Sequence, residues 1–238
     1  MKIVSIIGLF ALILLSSLLT SLSTPIEEEF LSYTVNPKIQ QLEFFWKDDK
    51  GKIINNFANL KLHLELSNKK LLFAMNGGIY EKEYSPKGLY IENGRTEIQL
   101  DTGSGFGNFY LKPNGVFFLT YDLKAEICNT IDFHKKRNVK FATQSGPLLV
   151  INGAVNPIFD QMSKSLNIRN GVGILPEGKV LFAMSKKELN LYEFASYFRR
   201  NGCTQALYLD GYISKTYLPE KNWIHQDGEF AIIIAEIE

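Results

Sequence analysis

Apolar residues in this chain fall mostly into short runs that alternate with polar ones or stop at glycine, and only two stretches keep a helical spacing. Phe30–Val35 and residues 39–46 read as strands rich in aromatic and β-branched side chains. Residues 71–75 form a compact apolar run that stops at Asn76-Gly77-Gly78, the pattern of a buried strand ending in a turn. Asn93-Gly94 between 89–91 and 96–98 predicts a type I′ hairpin. Further strands are expected at 116–119, 141–144, 148–151, 172–175, 180–184, 206–209 and 230–237, with Pro176-Glu177-Gly178-Lys179 closing a second hairpin.

The helical stretches are 57–66, apolar at Phe57, Leu60 and Leu64, and 187–200. For the second, Ser185 with Glu188 three residues later suggests a capping box, and Gly202 a left-handed stop. The resulting fold class is α+β: a single domain with a mixed, mostly antiparallel β-sheet core and a few flanking helices.

The N-terminus adds a different message. Lys2 precedes an apolar run from Ile3 to Leu22, and small residues lead to Pro25. A charged start, an apolar stretch and a small-residue exit predict a secretory signal over residues 1–23, with an uncleaved anchor as the alternative. Residues 24–238 then form the domain, exported to the periplasm or medium, or tethered to the membrane by the N-terminal segment alone. A formal net charge of +1 without a basic stripe argues against nucleic acid as a partner. The two cysteines, Cys128 and Cys203, either pair in an oxidising compartment or sit as small buried hydrophobes.

Four segments place polar groups and glycine at strand ends, where a sheet presents its edge to a ligand. Asn76-Gly77-Gly78, followed by Ser85-Pro86-Lys87-Gly88, allows close backbone approach and amide N–H groups aimed at an anion. Gln144-Ser145-Gly146-Pro147 lacks the spacing of a nucleophile elbow but can line a cleft. Arg169-Asn170-Gly171-Val172-Gly173 offers a guanidinium to phosphate. Asp210-Gly211-Tyr212-Ile213-Ser214 ends an apolar strand with a tunable carboxylate. Each segment also has a plain reading as a turn. His63, His134 and His225 lack metal-ligand spacing, and no metal ligand is assigned.

Taken together and in this order, with a helix before the last segment, the four segments resemble the phosphodiester glycosidase family, in a bacterial branch. The likeness runs from about Phe73 to the C-terminus, and Glu193 falls where the family carries a glutamate. The family's last motif continues Asp-Gly-Gly-Gly-Ser, whereas Tyr212 and Ile213 stand here in place of two glycines. The resemblance implies hydrolysis of a sugar linked through its anomeric oxygen to phosphate, on a glycan or cell-envelope substrate. It implies Asp210 as base or nucleophile, and Arg169 with the backbone N–H groups near Gly77 and Gly146 as phosphate holders. Asn76, Gln144 and Ser214 would orient sugar hydroxyls, with Gly78, Asn170 and Gly211 in the same cleft. No cofactor is required, and a calcium or other divalent ion at Asp210 stays open. Two other readings compete: a non-catalytic glycan-binding module using exposed tyrosines, and a metal-dependent phosphodiesterase.

Overall fold

A computed structural model describes residues 29–238, so the apolar N-terminal run and its exit lie outside the described residues. The strands form three sheets, and every ladder between them is antiparallel among the described residues. The first runs β1 (Phe30–Val35), β12 (Val180–Ser185), β11 (Asn170–Ile174), β13 (Gln205–Asp210), β9 (Leu148–Ile151), β10 (Ala154–Val155). The second runs β15 (Trp223–Ile224), β14 (Thr216–Leu218), β3 (Leu71–Asn76), β16 (Ile233–Ile237), β2 (Gln41–Phe45). The third runs β5 (Arg95–Ile98), β4 (Tyr90–Glu92), β8 (Val139–Ser145), β6 (Gly115–Thr120), β7 (Ala125–Asn129).

Alternate side chains of a strand point to opposite faces, and here one face of each sheet turns inward to a common core. Val35, Val172, Phe182 and Leu207 of the first sheet meet Phe44, Phe73 and Ile234 of the second and Tyr90, Phe117 and Phe141 of the third. Ring stacking knits them: Phe73 lies 4.6 Å from Tyr33 and 5.1 Å from Phe182, and Phe44 lies 5.5 Å from both Phe117 and Phe141. The outer faces of the first and second sheets are covered by helices. α1 (Phe57–Glu65) sets Phe57, Leu60 and Leu64 against Leu71, Ala74 and Ile233 of the second sheet. α2 (Leu191–Arg200) sets Phe194, Ala195 and Phe198 against Leu149, Ala206 and Tyr208 of the first.

The α+β architecture and most strands match the pattern of the sequence, and Asn93 (φ 50°) and Gly94 (φ 78°) both take the left-handed conformation a type I′ hairpin needs. Element boundaries differ in places. The second helix starts at Leu191, capped by Asn190, whose side chain accepts from Glu193 N at 2.9 Å while the Glu193 carboxylate accepts from Asn190 N at 3.1 Å. Ser185 is no cap: β12 keeps pairing with Phe30 to its end, and the Ser185 hydroxyl accepts from Arg169 N. The last strand begins at Ile233 rather than 230, and β14 has no counterpart among the expected strands. Finally, Cys128 and Cys203 are both free thiols, pushed up by burial to about 11 and about 12.

Candidate active site

Each sheet contributes one strand end to the same place. β3 ends at Asn76, β8 at Ser145 and β13 at Asp210, and the antiparallel β11 begins beside Asp210 at Asn170. Buried amides join these ends. Asn170 Nδ2 donates to the carbonyl and to Oδ1 of Asn76, both at 2.9 Å, and its own Oδ1 accepts from Asp210 N at 2.9 Å. Asn76 Nδ2 donates to Ile213 O at 2.8 Å, and its Oδ1 accepts from Lys215 N at 2.8 Å. Ser145 Oγ donates to Leu209 O at 2.6 Å, tying the third sheet to the first. Buried polar groups persist only when they are satisfied, so this network fixes the 210–215 loop from both sides.

Asp210 is the ionisable group that this scaffold presents. Its Oδ1 accepts from Tyr212 N at 2.9 Å and from Ile213 N at 3.4 Å. Burial pushes the carboxyl up to about 6, against the pull of backbone N–H groups of Tyr212, Ile213 and Gly211. Desolvation therefore outweighs hydrogen bonding, which makes Asp210 a stronger base than an ordinary carboxylate.

Tyrosines surround it. The Tyr80 phenol is pushed up to about 12, first by burial and then by the charges of Asp210, Tyr84, Glu229 and Tyr212, so these groups share one neighbourhood. Tyr80 Oη donates to Glu229 O at 2.8 Å, and Tyr84 Oη donates to the Glu229 carboxylate. Glu83 (φ 64°) and Tyr84 (φ 55°) both hold the left-handed conformation, which disfavours such side chains, and Trp46 Nε1 pins the Tyr84 carbonyl at 2.9 Å. Tyr212, in place of a glycine, leaves its ring 96% exposed at the rim.

Several residues singled out by sequence lie under the site rather than in it. Arg169 is 1% exposed, and its guanidinium donates to Leu189 O at 2.7 Å, Ser165 O at 2.7 Å and Tyr208 Oη at 2.8 Å. In this arrangement it ties the segments at Ser165 and Leu189 to Tyr208 of β13. Gln144 is fully buried, its Oε1 accepting from Leu89 N and Asp101 N and its Nε2 donating to Asp101 O, so it anchors the 99–101 strand exit instead of a sugar.

The Gly77 N–H is donated to Ile232 O at 2.8 Å, so it is not turned to an anion. A Cβ on Gly78 would come within 2.7 Å of Gln144 O, on Gly146 within 2.6 Å of Asn114 Cβ, and on Gly211 into the Tyr208 hydroxyl. These glycines let sheets and turns approach each other. Ser214 Oγ sits 3.1 Å from the carbonyls of Ile168 and Asp210, and its single proton goes to backbone. Asn76 and Asn170 are in the constellation, but as girders.

Glu229 was not singled out by sequence, and Tyr80 and Tyr84 were only as exposed rings able to stack on a sugar. Glu229 lies in the polar stretch before the last strand, and no motif spacing links it to the 80–84 turn; only the tertiary fold does.

The protein-family model described as phosphodiester glycosidase matches residues 69–232. The uncharacterized protein YigE of Escherichia coli K12 is 40% identical over 188 residues, which are 79% of this chain and 73% of that protein. The catalytic domain of zebrafish N-acetylglucosamine-1-phosphodiester alpha-N-acetylglucosaminidase superposes with a TM-score of 0.60 at 13% identity, over 91% of this chain and 85% of that one. A hypothetical protein from Synechocystis gives 0.54 at 12% identity, over 87% of this chain and 59% of that one. At such identities the two structures share the fold.

Proposed function

Because the chain belongs to the phosphodiester glycosidase family, a family of glycosidase-type hydrolases, we propose that it hydrolyses a sugar-1-phosphate diester with Asp210 as the base. The observation that carries this reading is a buried carboxylate, pushed up to about 6 and held at the junction of three sheets beside a tyrosine-lined rim. Water attacks the anomeric carbon as Asp210 takes its proton. The bond from carbon to the phosphate-bearing oxygen breaks, and its electron pair leaves with the phosphate monoester. A phosphate monoester departs without strong proton donation, so one base suffices, and product would first appear with inverted anomeric configuration. Glu229, held by Tyr84 and Tyr80, is the second carboxylate on this rim. The scheme uses no cofactor, and turnover is expected to survive EDTA.

The apolar run from Ile3 to Leu22 supports export of the domain to the periplasm or medium, where glycan and envelope substrates lie. The exposed Tyr212 ring also suits a module that stacks on sugars without cleaving them. Hydrolysis of sugar-1-phosphate diesters in oxygen-18 water separates the readings. Label in the sugar is expected, with a loss on the order of 10²–10⁴-fold in Asp210→Asn. Label in the phosphate would mean P–O cleavage, and saturable sugar binding without turnover would mean a binding module.

A further inference from the structure

With Arg169 committed to carbonyls beneath β11, the phosphate of such a substrate needs another holder. A cleft of about 390 Å³ opens beside the Asp210 loop, bordered by Tyr212, Ser214, Lys215, Trp223, His225 and Lys186, and no aspartate or glutamate lines it. We propose that this cleft is a phosphate-binding subsite in which Lys186, Lys215 and His225 receive the oxygens of a phosphate ester; as the leaving-group side of the reaction, it rests on the hydrolytic reading of Asp210.

The donors are in place and only weakly engaged. Lys215 Nζ is held at 2.6 Å by Asp227, whose side chain is 72% exposed. Asp227 is the exposed partner and Lys215, its side chain 24% exposed, the more buried one, so an incoming dianion competes with Asp227 for this ammonium. Lys186 is exposed, with Nζ 5.8 Å from the centre of the Trp223 ring. His225 Nδ1 accepts from Thr216 N at 3.1 Å, which leaves the ring proton on Nε2 as a donor. Burial, then the charge of Lys215, keeps this imidazole below its usual range and hence neutral near pH 7. Trp223 forms a wall of the cleft, its ring centre 5.5 Å from that of His225.

Two point charges and one neutral donor suit a tetrahedral group rich in acceptors. The placement fits the chemistry as well. Tyr212 and Ile213 donate to the Asp210 carboxylate from the same loop whose Ser214 and Lys215 border the cleft. Phosphate on the cleft side therefore sets the anomeric carbon towards Asp210.

Calorimetric titration of the full-length chain with inorganic phosphate tests the subsite directly. Wild type should bind saturably, more weakly as salt rises. Affinity should fall by about tenfold or more in Lys186→Glu and in Lys215→Ala, and stay within about twofold in Asp210→Asn. Because Lys186 is exposed, its variant reports binding without endangering the fold. Absence of saturable binding by wild type, or undiminished binding by Lys186→Glu, overturns the subsite even if diesters are hydrolysed. Phosphate binding that the lysine variants lose, in a wild type that cleaves no diester, upholds the subsite and removes the hydrolytic reading instead.

Discussion

Asp210 holds its charge at a cost to the fold, and the sign can be worked through. Its carboxyl sits near 6 in the folded protein against an ordinary 3.8, so folding favours the protonated form. The stability tied to protonation is complete below pH 3.8 and is lost as pH rises through 6. A shift of that size corresponds to about 2–3 kcal/mol at neutral pH. Asn at this position still accepts from Tyr212 and Ile213 through its amide oxygen. Asp210→Asn should therefore raise the melting temperature by several degrees at pH 8 and leave it nearly unchanged at pH 4, while turnover falls on the order of 10²–10⁴-fold. Equal melting temperatures at both pH values would show that Asp210 is not desolvated as described. In wild type, kcat/KM should rise with pH through about 6 as the base ionises. At this scale the sequence was a good guide to which residues gather and a poor one to what they do. Asn76, Asn170 and Asp210 meet, but Gln144 and Arg169 turn inward, because carbonyls claim their donors: Asp101 O, 43 positions from Gln144, and Leu189 O, 20 positions from Arg169, with Ser165 O four positions away.

Among the elements, strands announced themselves through runs that end at Asn-Gly, Gly-Pro or Asp-Gly. Helix ends were less legible. Ser185-x-x-Glu188 and Asn190-x-x-Glu193 are both capping boxes on paper, and pairing of β12 with β1 uses Ser185 as strand, leaving Asn190 to start the helix. Asn190→Ala should cost about 1 kcal/mol, seen as a lower denaturant midpoint with unchanged slope, whereas Glu188→Ala should cost almost nothing. The reverse order would restore Ser185 as the cap. The strand β14 was hidden for a similar reason. Three residues carry no periodicity, and it exists because β3 and β15 supply partners on both sides.

For the molecule as a whole, three sheets share one core, so the site and the fold stand on the same contacts. Phe73, fully buried, stacked on Tyr33 and tilted against Phe182, joins the second sheet to the first. Phe73→Ala should cost about 3–5 kcal/mol, and far-ultraviolet circular dichroism and tryptophan fluorescence should still report one coincident transition. Two separate transitions would show that the sheets melt independently.

Composition, spacing and the order of motifs determined the α+β class and the family, because apolar period and turn chemistry are local properties that a chain carries wherever it goes. Only the tertiary structure decided which polar side chains face solvent and which hold the frame. A buried guanidinium and an exposed one look alike in sequence, and the difference is made by carbonyls that other elements bring to it. The same holds for the rim. Glu229 and Tyr84 are 145 positions apart and touch because β3 and β16 pair.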